Sequence, residues 1–492
     1  MQSRRDQVQA HLFVMSRLEA GMLRGEPDAA DLTPRRTHRG IRTGLFIALA
    51  IALVMGLYGA IRPGGASGWR KPGTLVVVKE TGARYLFVGG SLRPVLNEAS
   101  ARLVAGERMS VAQVSANSLA GTPRGGPVGI VGAPDGLPAA GRLTRGDWLV
   151  CGTVSRTPSG GARATLAVAV GADRTGTPLT PEQGVLVVTP DGARHLLWQG
   201  RRLRIDTANG ADTALGFGAV TPYPVTAVFL NALPAGPDLA PPGIAGRGTP
   251  GPALGGRATT VGQLFAGPSG EPYVLTRGGL AALDATRFDL LRGDPRTQRE
   301  AYRGAAPVAL PVGAADLAAH PAPAGTVPDG GLPTTPPQPV AMAAGRAVCT
   351  AVKPSGGSPR TLVTVVDAAS VAGAPPVPRP GVVAGCGVAD RVAVPPGGGA
   401  FVRALSGAGA AGAGYLVADD GVKYPVPSPE AAKALGYGAA VPVGVPAALL
   451  SLLPTGPGLE PALLATTGIV TSAESKEMAE TAETGSAAGR CG

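Results

Sequence analysis

Aromatic side chains are scarce in this chain, at 4% of 492 residues. Cores must therefore be built from Val, Leu and Ala, and broad binding faces of Trp and Tyr are excluded. No Gly-Lys dipeptide occurs. A Walker A loop, whose lysine reaches the β- and γ-phosphates, is absent in its standard form. No G-x-S-x-G elbow is present either. His195 and His320 are the only histidines beyond residue 42, and neither has C-x-x-C or H-E-x-x-H company. A zinc site or a His-based triad has little to work with. There is no basic cluster interleaved with aromatics, so nucleic acid is not an expected partner. One formal motif remains: Gly407, Gly409 and Gly412 spell G-x-G-x-x-G after the apolar run Phe401–Leu405. A dinucleotide site needs a helix to begin there. Tyr415-Leu416-Val417 and the turn Asp419-Asp420-Gly421 form a strand pattern instead, which favours a flexible loop. Neither catalytic, cofactor-binding nor metal-ligating residues stand out.

What is present is an uncharged, proline-free run from Thr43 to Ile61. As a helix it is about 28 Å long, close to the hydrocarbon thickness of a bilayer. Its alternatives are a buried core helix or a cleaved signal peptide. Forty-two mostly polar residues precede it and no clean small-residue cleavage site follows, so an uncleaved anchor is the better reading. Arg35, Arg36, Arg39 and Arg42 crowd its start, whereas Arg62, Arg70 and Lys71 follow more loosely. That bias orients the N-terminus to the cytoplasm. No second run reaches 18 apolar residues, so the expectation is a single-pass protein with one large outer portion.

Net charge is +11, which over a chain this long reads as a solvated surface. Glycine numbers 75 and proline 49, but 44% of residues are apolar and fall in short runs. Folded, turn-rich β structure is expected rather than disorder. The cysteines are Cys151, Cys349, Cys386 and Cys491, all after the span. An oxidising outer location permits disulfides, and spacing alone leaves all three full pairings open.

Residues 1–42 form the cytoplasmic segment, with an amphipathic helix from about Arg4 to Leu23. Val8, Leu12, Met15 and Met22 fall near one face. That face either lies on the inner membrane surface or docks a partner protein. The span at 43–61 is followed by a flexible linker, 62–73. A turn–strand–turn–helix form then recurs. It is carried by Gly82 to Asn97, Gly192 to Ile205, Gly270 to Leu283 and Gly421 to Gly438, with Tyr85, His195, Tyr273 and Tyr424 treated as equivalent. Two copies share a tail, Leu233-Pro234-Ala235-Gly236-Pro237 and Leu453-Pro454-Thr455-Gly456-Pro457. The expected units are repeat 1 at 74–108, repeat 2 at 184–242, repeat 3 at 261–300 and repeat 4 at 414–463. Two β-rich segments, 109–180 and 346–402, suggest one central β domain. A proline-rich connector at 321–340 and a disordered tail at 466–492 complete the chain.

Taken together, the arginine-flanked span, Lys79 to Leu103 (KETGARYLFVGGSLRPVLNEASARL), Asp420 to Gly438 (DGVKYPVPSPEAAKALGYG) and Pro446 to Pro457 (PAALLSLLPTGP) resemble the EccB family, the single-pass membrane component of actinobacterial type VII (ESX) secretion systems. The resemblance implies an α+β, β-rich, elongated outer portion in which four repeats, similar to cell-wall-binding modules, flank the central domain. It implies a membrane complex with an EccC-type ATPase, EccD and EccE, self-association and peptidoglycan contact. It also implies a Cys151–Cys349 disulfide, with Cys386 and Cys491 extra to the family pattern. The implied function is a structural scaffold without a cofactor. Family members have been labelled ATPases, so a nucleotide hydrolase with a non-Walker site, using ATP, is the alternative; a cell-wall-binding membrane protein is another.

Overall fold

The computed structural model describes residues 4–24, 34–61, 67–172, 176–328, 330–354, 360–405, 411–462, 464 and 469–470. The chain divides into two compact units. One comprises Met1–Lys71, Val76–Ala83 and Val111–Pro123; the other holds the remainder.

The first unit contains two long helices, α1 (Arg4–Arg24) and α2 (Pro34–Ile61). α2 begins earlier than the apolar run because Pro34 suits a first helical position and Arg35, Arg36, Arg39 and Arg42 are good helix formers, which outweighs the single Gly40. Its most apolar stretch, Arg39–Gly59, is long and apolar enough to cross a membrane. In the same unit Trp69 is buried, Arg70 donates to Thr122 Oγ1 at 3.2 Å, and Lys79 N donates to Val114 O at 2.9 Å.

The second unit is built around a six-stranded sheet. Its strand order is Arg391–Ala393, Ala162–Ala172, Asp147–Arg156, Arg346–Lys353, Arg360–Asp367, Thr177–Pro178. The central strands are apolar on both faces, as their unbroken runs require. Successive side chains point to opposite sides. Trp148, Val150, Val168, Val170 and Val348 enter one core, and Leu149, Cys151, Ala167, Ala169 and Cys349 enter another. The first core is completed by two smaller sheets, through Val185, Val187 and Phe229 and through Val402, Val445 and Leu449. The second is thin and made mainly of Ala and Cys.

Three smaller sheets share one connectivity. Each runs in the spatial order third–second–first–fourth strand, and the fourth pairs parallel with the first. Their strands are Gln183–Val188, Arg194–Trp198, Arg201–Arg204 and Tyr223–Pro224; Leu264–Ala266, Pro272–Thr276, Gly279–Ala282 and Leu310–Pro311; and Ala400–Leu405, Ala411–Val417, Lys423–Val426 and Val443–Pro446. The hairpin Arg84–Val88/Ser91–Pro94, followed by helix α3 (Glu98–Ala105), has the same local form. In all four places the strand before the helix is closed on its outer edge by a later segment. Gly125, Gly236, Ala322 and Gly456 donate their N–H to the carbonyls of Leu92, Arg202, Leu280 and Lys423. The helices start on side-chain caps: Asn97 accepts from Ser100 N, Asp284 from Arg287 N and Ser428 from Ala431 N. Helix contacts join these modules in pairs. Ala99 and Leu103 of α3 pack with Ala431 and Leu435, and Leu290 of the 285–293 helix packs with Ala211 and Phe217.

Several boundaries differ from the sequence reading. Ala400–Leu405 belongs to the fourth small sheet, not to the central segment 346–402, and Leu310–Pro311 extends the third beyond residue 300. Ser110–Val114 is outside the central sheet. The 321–340 stretch is not a free connector: Gln338–Pro339 pairs with Gln183–Gly184, Pro321 bridges Leu280 and Val327 is buried. Proline lacks the N–H but keeps a carbonyl, so such a stretch can still hold a sheet edge. Ile469–Val470, assigned to a disordered tail, pairs parallel with Gly129–Ile130; residues 471–492 lie outside the described residues.

The equivalence of Tyr424 with Tyr85, His195 and Tyr273 is also corrected. Those three lie in the second strand of their sheets, whereas Tyr424 lies in the third of its own. The reason is that an Asp-Gly turn serves either hairpin. Gly192 (φ +84°) joins first to second strand and Gly421 (φ +76°) joins second to third. The close approach of Gly456 to Tyr424 and of Gly236 to Leu203 makes Tyr424 the counterpart of Leu203.

Candidate functional site

The residues singled out for partner docking all lie on α1. Val8, Leu12, Met15 and Met22 are 57%, 63%, 53% and 83% exposed. Phe13, Val14 and Leu18 are exposed as well, so the apolar surface extends round much of the helix and is broader than the single expected face. α2 presents Leu45, Phe46, Leu53 and Met55 in the same way. A helix apolar on every side and uncovered by its own chain suits a hydrocarbon environment.

Cys151 and Cys349 sit directly opposite one another on neighbouring antiparallel strands, with Cα atoms 4.0 Å apart, and are joined by a disulfide. Both are fully buried. The bond fixes segments 198 residues apart. On the same face an apolar cavity of about 340 Å³ is lined by Leu149, Ala169, Gly171, Val371 and Pro395. Cys386 is also disulfide-bonded, and Cys491 lies outside the described residues.

Among the described residues no three His, Cys, Asp or Glu side chains come together as a metal cluster. Gly412 lies in the strand Ala411–Val417, whereas Gly407 and Gly409 lie outside the described residues.

Two charged groups escaped the sequence reading. Asp294 is fully buried and pairs with Arg247, itself 5% exposed, and with Arg296 at 3.2 Å. Burial opposes its ionisation. Hydrogen bonding from Arg296 N and the Arg247 charge outweigh that effect and hold its carboxyl below the usual aspartate range. In the second group Arg379 bridges Asp420 and Tyr424, whose hydroxyl donates to Asp420 at 2.6 Å. Burial first, and Asp420 second, push the Tyr424 hydroxyl pKa upward. Neither group opens onto a cavity described here, and both tie loops to a small sheet. Sequence could not reveal them because the Arg379–Asp420 and Arg247–Asp294 pairs join residues 41 and 47 apart.

The family described as "Type VII secretion system ESX-1, transport TM domain B" matches residues 1–470. A relative from Mycolicibacterium smegmatis (strain ATCC 700084 / mc(2)155), named "ESX-3 secretion system ATPase EccB3", is 31% identical over 96% of this chain and 93% of its own length. The chain is similar to one in the solved "intact ESX-5 inner membrane complex", with a TM-score of 0.60 and 26% identity, covering 94% of this chain and 95% of that one. It is similar also to the "EccB3 dimer from the ESX-3 core complex", with a TM-score of 0.57 and 27% identity, covering 79% and 98%. A match over nearly the whole chain, an apolar N-terminal helix and a sheet-rich fold shared with those structures make this chain a member of the EccB family of type VII secretion systems.

Proposed function

We propose that the chain is a single-pass structural subunit of a type VII secretion membrane complex, with its N-terminus in the cytoplasm and the residues after α2 forming a scaffold on the outer face. The observation that carries the orientation is the buried Cys151–Cys349 disulfide, because such a bond persists on the oxidising side of a membrane. The arginines before the apolar run support the same sense. The four hairpin–helix modules are read as copies of one unit, supported by their shared strand order and edge closure. Self-association and a place in a membrane complex are supported by the assemblies in which the similar chains were solved, and an EccC-type ATPase, EccD and EccE are the proposed partners there.

A cysteine at position 3 (Ser3→Cys) is expected to resist a membrane-impermeant thiol reagent on intact cells, and one at position 269 (Ser269→Cys, exposed) to react. Lysed cells serve as the positive control. The opposite labelling would overturn the orientation.

The name of the Mycolicibacterium relative favours a second reading, nucleotide hydrolysis. Full-length protein freed of EccC should show no ATP turnover above a denatured control. Turnover abolished by a point substitution would favour the hydrolase. Retention on insoluble peptidoglycan without co-purifying EccC would favour a wall-binding role instead.

A further inference from the structure

The hairpin Arg194–Trp198/Arg201–Arg204 carries four arginines and a histidine. Cross-strand partners share a face. His195 stands opposite Arg204, and Leu197 stands opposite Arg202. His195, Arg202 and Arg204 therefore lie on one side, and Arg194 and Arg201 on the other. Arg194 is neutralised by Asp212 at 3.0 Å. Among the described residues Arg202 and Arg204 form no ion pair. Arg202 is held by a neutral group, Asn231 Oδ1 at 3.0 Å, and Arg204 is exposed. The neighbouring carboxylate, Asp191, is already engaged by the Thr189 hydroxyl and by Ala193 N at 3.4 Å.

Like charges gathered on one sheet face are destabilising unless something compensates them. Burial first, and then Arg202 and Arg204, push the His195 pKa down. Its Nδ1 is buried without a hydrogen-bond partner. The face therefore offers two guanidinium forks, with Cβ atoms roughly 7 Å apart along the strand, and the His195 imidazole across from Arg204.

We propose that this face is an anion site that takes a phosphate group. A carboxylate is satisfied by a single guanidinium fork, whereas a tetrahedral oxyanion has oxygens to spare for donors arriving from separate directions. A soluble polyanion and an acidic lipid headgroup both carry that phosphate, and the experiment separates the two. The site is independent of the scaffold reading, because it asks only what this hairpin binds.

The test uses the full chain in maltoside micelles, titrated with short-chain inorganic polyphosphate, with dihexanoyl phosphatidylglycerol and with poly-glutamate. Binding of polyphosphate assigns a soluble source, and binding of the lipid assigns a headgroup. Arg204→Gln, and the pair Arg202→Gln with Arg204→Gln, should weaken that binding roughly 10-fold or more. Arg201→Gln, on the opposite face of the same strand, should leave it nearly unchanged. Thermal unfolding midpoints should stay the same, and the Arg204 variant guards against misfolding because that residue is exposed and forms no ion pair among the described residues. The proposal falls if neither phosphate probe binds, if Arg201→Gln weakens binding as much as Arg204→Gln, or if poly-glutamate binds as tightly as polyphosphate. The last result would assign the face to an acidic protein surface.

Discussion

Replacing both Cys151 and Cys349 by alanine should loosen the central sheet more than any packing loss can explain. The bridge closes a loop spanning 198 residues. Loop-closure entropy for that length corresponds to about 5 kcal/mol at 25 °C. The neighbours on that face include Ala167, Ala169, Ala347 and Ala351, so removing two sulfurs disturbs little volume. Nearly all of the loss should therefore reflect chain connectivity. Trp148 lies in the same strand as Cys151 and is 1% exposed, which makes its fluorescence a local probe of this sheet. With a denaturant slope of roughly 3 kcal/mol per molar guanidinium chloride, the Trp148 midpoint should fall by somewhat under 2 M. Trp69 and Trp198 should be replaced by phenylalanine in both proteins so that the signal is unambiguous. An unchanged midpoint would refute the reasoning. So would a Cys349–Cys386 peptide in a non-reducing map of thiol-blocked protein.

Leu12→Asp with Met15→Asp should release the protein from its complex while α2 keeps it in the membrane; fractionation and affinity purification would read both, and an intact complex would leave α1 as a membrane-surface helix. Gly456→Ala places a methyl group 2.3 Å from the Tyr424 ring and should cost about 1–3 kcal/mol, whereas Gly458→Ala meets nothing within 4 Å and should be close to neutral; thermal melts compare them. Asp294→Ala strands the buried Arg247 charge and should cost about 3–5 kcal/mol, seen as faster proteolysis near Gly248. Because the folded Asp294 carboxyl titrates below its unfolded value, its contribution is complete above about pH 4 and is lost as the pH falls through the depressed value. Acid unfolding followed in wild type and Asp294→Ala should therefore converge at low pH.

The apolar helix α2 and α1 were legible because their signals are local: an uncharged run of bilayer length and an apolar periodicity. The paired tails at Pro234 and Pro454 were legible too, since both segments close the same strand edge. Register was not. An Asp-Gly turn looks the same between any two strands, and only the fourth strand and its closing segment reveal which hairpin Gly421 serves. The proline-rich 321–340 stretch misled because composition reports what a segment cannot donate, not what its carbonyls can accept. The Arg247–Asp294 and Arg379–Asp420 pairs were invisible because nothing in a linear pattern marks charges that meet across 41 or more residues.

The interleaving of the central sheet has a consequence for how the protein is made. The strand Asp147–Arg156 receives one neighbour, Ala162–Ala172, almost at once. Its other neighbour, Arg346–Lys353, emerges from the ribosome only after two complete small sheets. At about 5–20 residues per second, that interval is roughly 10–40 s. Throughout it an apolar strand holds a bare edge, the kind of edge that recruits foreign strands. The strands of the second and third small sheets all lie within this interval of the chain. Sheet closure and the Cys151–Cys349 bridge are thus late events in the life of the chain, and the vulnerable species is a half-made molecule with both edges of the 147–172 hairpin open, since Arg391–Ala393 arrives later still.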